Sequence, residues 1–101
     1  MVLVTVGNLS FGTKASLTMY IRDFLKGHCD PENRHIGRPV AKADVDGWLE
    51  HLLRRHPNQA KLSGWIREAM VYYYMGNPCL FLMLKDGGRR EVSVGKCIKA
   101  L

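Results

Sequence analysis

Carboxylates are scarce in the second half of this 101-residue chain: past residue 50 only Glu68, Asp86 and Glu91 occur. That shortage leaves no paired acids there for general acid–base catalysis. A glycine-rich phosphate loop is also missing, because Gly64, Gly76, Gly87, Gly88 and Gly95 are isolated or sit in turns. No internal repeat, low-complexity tract or linker is present. The three cysteines are an odd number, and the opening Met-Val-Leu-Val-Thr-Val has no basic n-region and is too short for a membrane span. These features predict a reduced, soluble, cytoplasmic protein.

What is present is ordinary globular material, 47% hydrophobic and 24% charged, which suits one domain over residues 1–101. The first fifty residues carry six bases and six acids and cancel, whereas the remainder carries nine bases and three acids, so the whole excess of +6 lies there. Clustered positive charge favours a polyanionic partner through counterion release; a solvated basic face is the plainer alternative.

Val2 to Val6 is a short β-branched run ended by Gly7-Asn8 and reads as a strand that could join a sheet edge. Ser10 or Thr13 can cap a first helix, in which Leu17, Tyr20, Ile21, Phe24 and Leu25 form one apolar face before Gly27 stops it. Residues 28–41 hold two prolines, a glycine and many polar groups, and read as a long surface loop. His28, Cys29 and His35 lie in it, but structural zinc requires four ligands at recognisable spacing, so no metal is expected. A second helix follows, with Asp44 as its expected N-cap, Val45, Trp48, Leu49, Leu52 and Leu53 as its core stripe, and His56-Pro57 as its end. Its other face runs from Asp46 and Glu50 to Arg54 and Arg55, an order that suits the helix dipole.

From Trp65 or Ile66 to Met75 the chain reads as a strand leading into a hairpin, with apolar runs either side of Asp86-Gly87-Gly88. The fold class is therefore α+β: two amphipathic helices on a C-terminal three-stranded antiparallel meander, with the N-terminal strand as a candidate addition. A two-residue turn at Asp86-Gly87 pairs Phe81 with Val92 and Cys79 with Val94, and buries Cys79, Phe81, Met83, Val92 and Val94 under the helices. On that facing Phe81→Ala should cost about 3–5 kcal/mol. A three-residue loop swaps the faces of the first two strands, and the sequence leaves the choice open. In either register Cys79 and Cys97 fall near the hairpin's open end.

Cys79, Cys97, His51 and His56 supply residue types for nucleophilic catalysis without a recognisable motif, so a catalytic role is not expected. The remaining signal is basic residues interleaved with aromatics. Arg54, Arg55, Lys61, Arg67, Arg89, Arg90, Lys96 and Lys99 are candidate phosphate contacts, and Tyr72 and Tyr74 candidate stacking platforms for unpaired bases. Tyrosines are also simply good strand residues.

An ordered set of short motifs adds to this. Phe11-x-Thr13-Lys14 precedes the first helix, and Leu52-Leu53-x-Arg55-His56-Pro57 closes the second. Then come Lys61-Leu62-x-Gly64, Asn77-Pro78, Cys79-x-Phe81, Asp86-Gly87, Glu91-x-Ser93 and Lys96-Cys97-Ile98. Over about residues 11–98 this resembles the DCL-like domain, named for the plant defective-chloroplasts-and-leaves protein and similar to domains of plant RNA polymerase IV and V largest subunits and to small standalone bacterial proteins. The chain departs from that pattern where Pro78 stands in place of an arginine and Leu80 separates Cys79 from Phe81. The resemblance implies an α+β domain linked to RNA metabolism, in ribosomal RNA processing or ribosome biogenesis; it supplies no catalytic residues to carry over, and no cofactor is expected. Sequence and resemblance together lead to the expectation of a small non-enzymatic RNA-binding module, the alternative being a protein-interaction domain docking through a sheet edge or an exposed Leu/Tyr face.

Overall fold

The C-terminal hairpin closes through three residues, and that choice sets the facing of the sheet. The computed structural model describes residues 3–29, 32, 36–74 and 76–101. Strands β5 (Asn77–Leu84) and β6 (Arg89–Val92) pair in the register Leu80↔Val92, Phe81↔Glu91, Leu82↔Arg90 and Met83↔Arg89. At the turn the Gly87 amide donates to the Leu84 carbonyl (3.0 Å) and the Leu84 amide to the Gly88 carbonyl (2.9 Å). Gly87 has φ +87°, the left-handed conformation that ends a three-residue hairpin loop and that glycine adopts without steric cost. Asp86 Oδ1 accepts the Gly88 amide at 2.8 Å and fixes the turn further.

Relative to a two-residue turn, this register moves the side chains of β4 and β5 to the opposite faces while Val92 of β6 keeps its place. Leu80 (2% exposed), Leu82 (0%) and Val92 (3%) are therefore in the core. Cys79, Phe81 and Met83 point the other way and are not buried, so the facing expected from a two-residue turn is corrected, and with it the large loss expected for Phe81→Ala.

The sheet has four strands, not three, in the antiparallel order β3-β4-β5-β6. Strand β4 (Trp65–Tyr74) is long, and β3 (Arg38–Pro39) adds to its edge by pairing Arg38 with Val71 and Pro39 with Met70. Just past it the buried Val40 donates its amide to the Ala69 carbonyl at 2.9 Å, so the end of the expected 28–41 loop is stitched into the sheet. The N-terminal run does not join this sheet. Strand β1 (Val4–Val6) turns at Gly7-Asn8 and pairs at once with β2 (Leu9–Phe11). Gly7 has φ +57°, and a Cβ there would lie 2.0 Å from the Gly47 carbonyl oxygen, so this hairpin is seated on the second helical segment by its glycine. The Asn8 amide donates to the same carbonyl at 2.9 Å.

Helix α1 (Lys14–Gly27) starts where Thr13 Oγ1 accepts the Ser16 amide at 3.1 Å, and buries Leu17, Ile21 and Leu25. The second helical segment is built in three parts: α2 (Lys42–Asp44), a π-helical turn (Val45–Leu49) and α3 (Glu50–Leu53). Its expected stripe is fully buried. Asp44 does not cap it, because the helix already starts at Lys42; instead Asp44 Oδ1 accepts the Trp48 indole N–H at 3.2 Å. A short helix α4 (Val94–Lys99) follows β6, capped by Ser93. It places Cys97 in the core, away from Cys79 on the opposite side of the sheet, and it rules out the expected Cys79–Val94 strand pair. Cys29, Cys79 and Cys97 are all free thiols. Among the described residues no helix is long and apolar enough to cross a membrane.

Candidate nucleic-acid interface

The eight basic candidates are dispersed over several parts of the surface, and three of them are engaged within the fold. Strand β4 is irregular between Trp65 and Ala69, and Arg67 there has φ +62°, an unusual conformation for a non-glycine residue. The kink turns Arg67 back onto the second helical segment, where Nη2 donates to Asp46 Oδ1 at 2.7 Å and also to Glu50 Oε2. Arg54 Nη2 donates to the other oxygen of Glu50 at 2.8 Å.

The hydrogen bond from Arg54, aided by the positive charges of Arg67 and Arg54, holds the Glu50 carboxyl below its usual range. A depressed folded value means that this stabilisation is in place at neutral pH and is lost as pH falls through it. Arg54, Arg67 and Asp46 are exposed while Glu50 is largely covered, so salt weakens the network in part. Thermal unfolding should show a smaller loss of midpoint for Glu50→Gln than for the native chain between neutral pH and about pH 3. Equal losses would mean the three charges act independently.

Arg90 is structural. Its Nη1 donates to the carbonyls of Lys61 and Ser63, both at 3.0 Å, and so ties the 3₁₀ turn (Gln59–Leu62) to β6. Lys61 is half-buried in that turn. Arg55 lines a hollow with Lys14 near the N-terminal hairpin, and Lys96 and Lys99 are exposed on α4.

Arg89 is placed differently. Alternation along β4, β5 and β6 puts Tyr72, Tyr74, Phe81 and Arg89 together on the outer face of the sheet, opposite the helices. Phe81 is the hub. The Tyr72 ring meets it at 5.3 Å between centroids and the Tyr74 ring at 6.2 Å, both edge to face. The Arg89 guanidinium carbon stands 4.3 Å from the Tyr72 ring centroid and 5.5 Å from that of Phe81, a cation–π arrangement. Tyr74 is 50% exposed. Behind Tyr72 the chain passes so closely that a Cβ on Gly37 would lie 2.4 Å from its ring, which holds that ring in place. Among the described residues of this face, Met70, Tyr72, Cys79, Phe81 and Met83 are half-buried and Tyr74, Arg89 and Glu91 are exposed, so its solvent contact is greatest at Tyr74, Arg89 and Glu91.

Sequence reasoning proposed Tyr72, Tyr74 and Arg89 for the site but assigned Phe81 to the core. Gly87 was no guide, because a two-residue Asp86-Gly87 turn and the three-residue loop both place it in the left-handed region.

The thiols offer little nucleophilic chemistry. Burial pushes Cys97 up to about 11. Desolvation also raises Cys29 and Cys79, the latter helped by the neighbouring charge of Glu91. Among the described residues no three His, Cys, Asp or Glu side chains are grouped to hold a metal ion, and His35 lies outside the described residues.

A family model described as a protein of unknown function (DUF3223) matches residues 31–98. The fold is similar to the solution NMR structure of an uncharacterised protein from Rhodospirillum rubrum, with a TM-score of 0.75, 24% identity, and coverage of 93% of this chain and 86% of that one. At that identity the likeness is one of fold. No curated protein matches the chain significantly.

Proposed function

The chain belongs to the DUF3223 family, whose function is unknown, and for this member we propose a small non-enzymatic module that binds single-stranded RNA on the open face of its sheet. One observation carries this: an aromatic cluster with an arginine on its rings occupies the solvent side of an antiparallel sheet. Unpaired bases stack on aromatic rings and on guanidinium planes, and both surfaces are available at Tyr74 and Arg89. Phe81 and Tyr72 hold those two side chains in position. The net charge of +6 supplies long-range attraction for phosphates.

The resemblance to DCL-like domains supports the same reading and suggests ribosomal RNA as the target; the odd cysteine count favours the cytoplasm as the compartment. The protein-docking alternative loses its leucines, since Leu80 and Leu82 are core residues. Fluorescence anisotropy with single-stranded and structured RNA tests the proposal. Binding that weakens steeply as salt rises is expected, with single strands preferred. No binding even at low salt, or binding indifferent to salt, would refute it.

A further inference from the structure

We infer that the RNA strand held on the open face continues round the β4–β5 end of the sheet into the groove between α1 and α4, where Arg22 and Lys26 take its phosphates. This rests on the open-face reading and extends it. The groove encloses about 440 Å³ and is lined by Arg22 and Lys26 from α1, Asn77 and Pro78 from β5, and Val94 and Gly95 from α4, among others.

No carboxylate lines it. Arg22 and Lys26 are both exposed, and among the described residues neither has an ion-pair partner, in contrast to Arg54 and Arg67. They stand at i and i+4 of α1, about 5–6 Å apart between Cβ atoms, so they present two cations along one line. Gly95 offers no side chain to obstruct that line: a Cβ there would meet only Ser93 Oγ, at 3.7 Å. Lys99, four residues further along α4, lies on the same side of that helix and adds positive charge.

Continuity with the open face runs through one turn. A second hollow shares Lys26, Asn77 and Pro78 with the groove and reaches Gly76 and Tyr73. Tyr74, the exposed ring of the aromatic cluster, is paired across the strands with Asn77. A strand leaving Tyr74 therefore needs only to cross the Gly76–Pro78 corner to reach Lys26. The balanced charge of the first fifty residues concealed this site, because Asp46 and Glu50 are taken up by Arg67 and, among the described residues, Arg22 and Lys26 have no ion-pair partner.

The test compares oligouridylates of about four and about twelve nucleotides, binding to the native chain and to Arg22→Glu/Lys26→Glu, with Arg22→Gln/Lys26→Gln as a gentler pair. For the native chain the long oligomer should be the more salt-sensitive, by about 0.7 in slope per phosphate held, or roughly sevenfold in affinity between about 50 and 200 mM salt for two phosphates. Both double variants should lose that increment, and the short oligomer should lose far less, the smaller loss being in the Gln pair, through the lowered net charge alone. An increment that survives in both variants overturns the groove assignment while leaving the open-face reading intact. Long-oligomer binding that depends on Arg22 and Lys26 but not on Tyr74 overturns the open-face reading and keeps the groove. Binding of neither oligomer removes both. Displacement of the long oligomer by an oligoglutamate peptide of equal charge would reassign the groove to an acidic polypeptide and overturn the inference.

Discussion

Leu82→Ala is expected to cost about 2–5 kcal/mol of folding free energy, and Phe81→Ala clearly less. Leu82 is 0% exposed and sits between Ala69 of β4 and Arg90 of β6, on the face of the sheet that the helices cover. Truncation there removes apolar contacts and leaves a cavity that the flanking strands cannot close without losing their ladder. Phe81, one residue away, has its ring on the solvent side against Tyr72 and Tyr74, so its loss forfeits edge-to-face contacts without opening the core. For a domain of this size, whose total stability is about 5–15 kcal/mol, the Leu82 change is a large fraction. Urea unfolding midpoints with unchanged slopes would measure both. A greater loss from Phe81→Ala than from Leu82→Ala would mean that the hairpin closes through two residues.

Tyr74→Ala and Arg89→Ala are each expected to weaken single-stranded RNA binding by about 1–3 kcal/mol, or roughly five- to 150-fold, with little effect on folding. Tyr74 is half-exposed and meets the Phe81 ring edge to face, so removing it takes away a stacking surface and little packing. Arg89 is exposed and lies over Tyr72, so its loss removes a charge and a second stacking plane together. Arg54→Ala is the informative contrast. Its guanidinium is already engaged by Glu50, and binding should be nearly unaltered. Comparable losses from Arg54→Ala and Arg89→Ala would point to nonspecific attraction by net charge.

The helical stripes were legible from their spacing: Val45, Trp48, Leu49, Leu52 and Leu53 are all buried, and of the expected face Leu17, Tyr20, Ile21, Phe24 and Leu25, the residues Leu17, Ile21 and Leu25 are buried, Phe24 is half-buried and Tyr20 is exposed. The hairpin was legible as an element but not in register, since Asp86-Gly87-Gly88 can close two loop lengths and the lengths differ by one residue. Strand β3 is two residues long and ends in proline, which carries no periodic signal at all. Helix α4 did leave a mark, in Ser93 followed by Val94, Cys97, Ile98 and Leu101 at helical spacing, yet the strand pattern before it masked the change of period.

For the site, charge counting along the chain could not see that Arg67 reaches acids 21 and 17 residues earlier in sequence. The alternation that gathers Tyr72, Tyr74, Phe81 and Arg89 on one face required the register to be known first.

Chemical-shift mapping during titration with a single-stranded oligouridylate tests the central claim most directly. The open-face account predicts that the largest changes fall on the rings of Tyr72, Tyr74 and Phe81 and on the Arg89 guanidinium, and that raising the salt reverses them. Changes centred instead on Asp46, Glu50, Arg54 and Arg67, with the outer face of the sheet undisturbed, would contradict it.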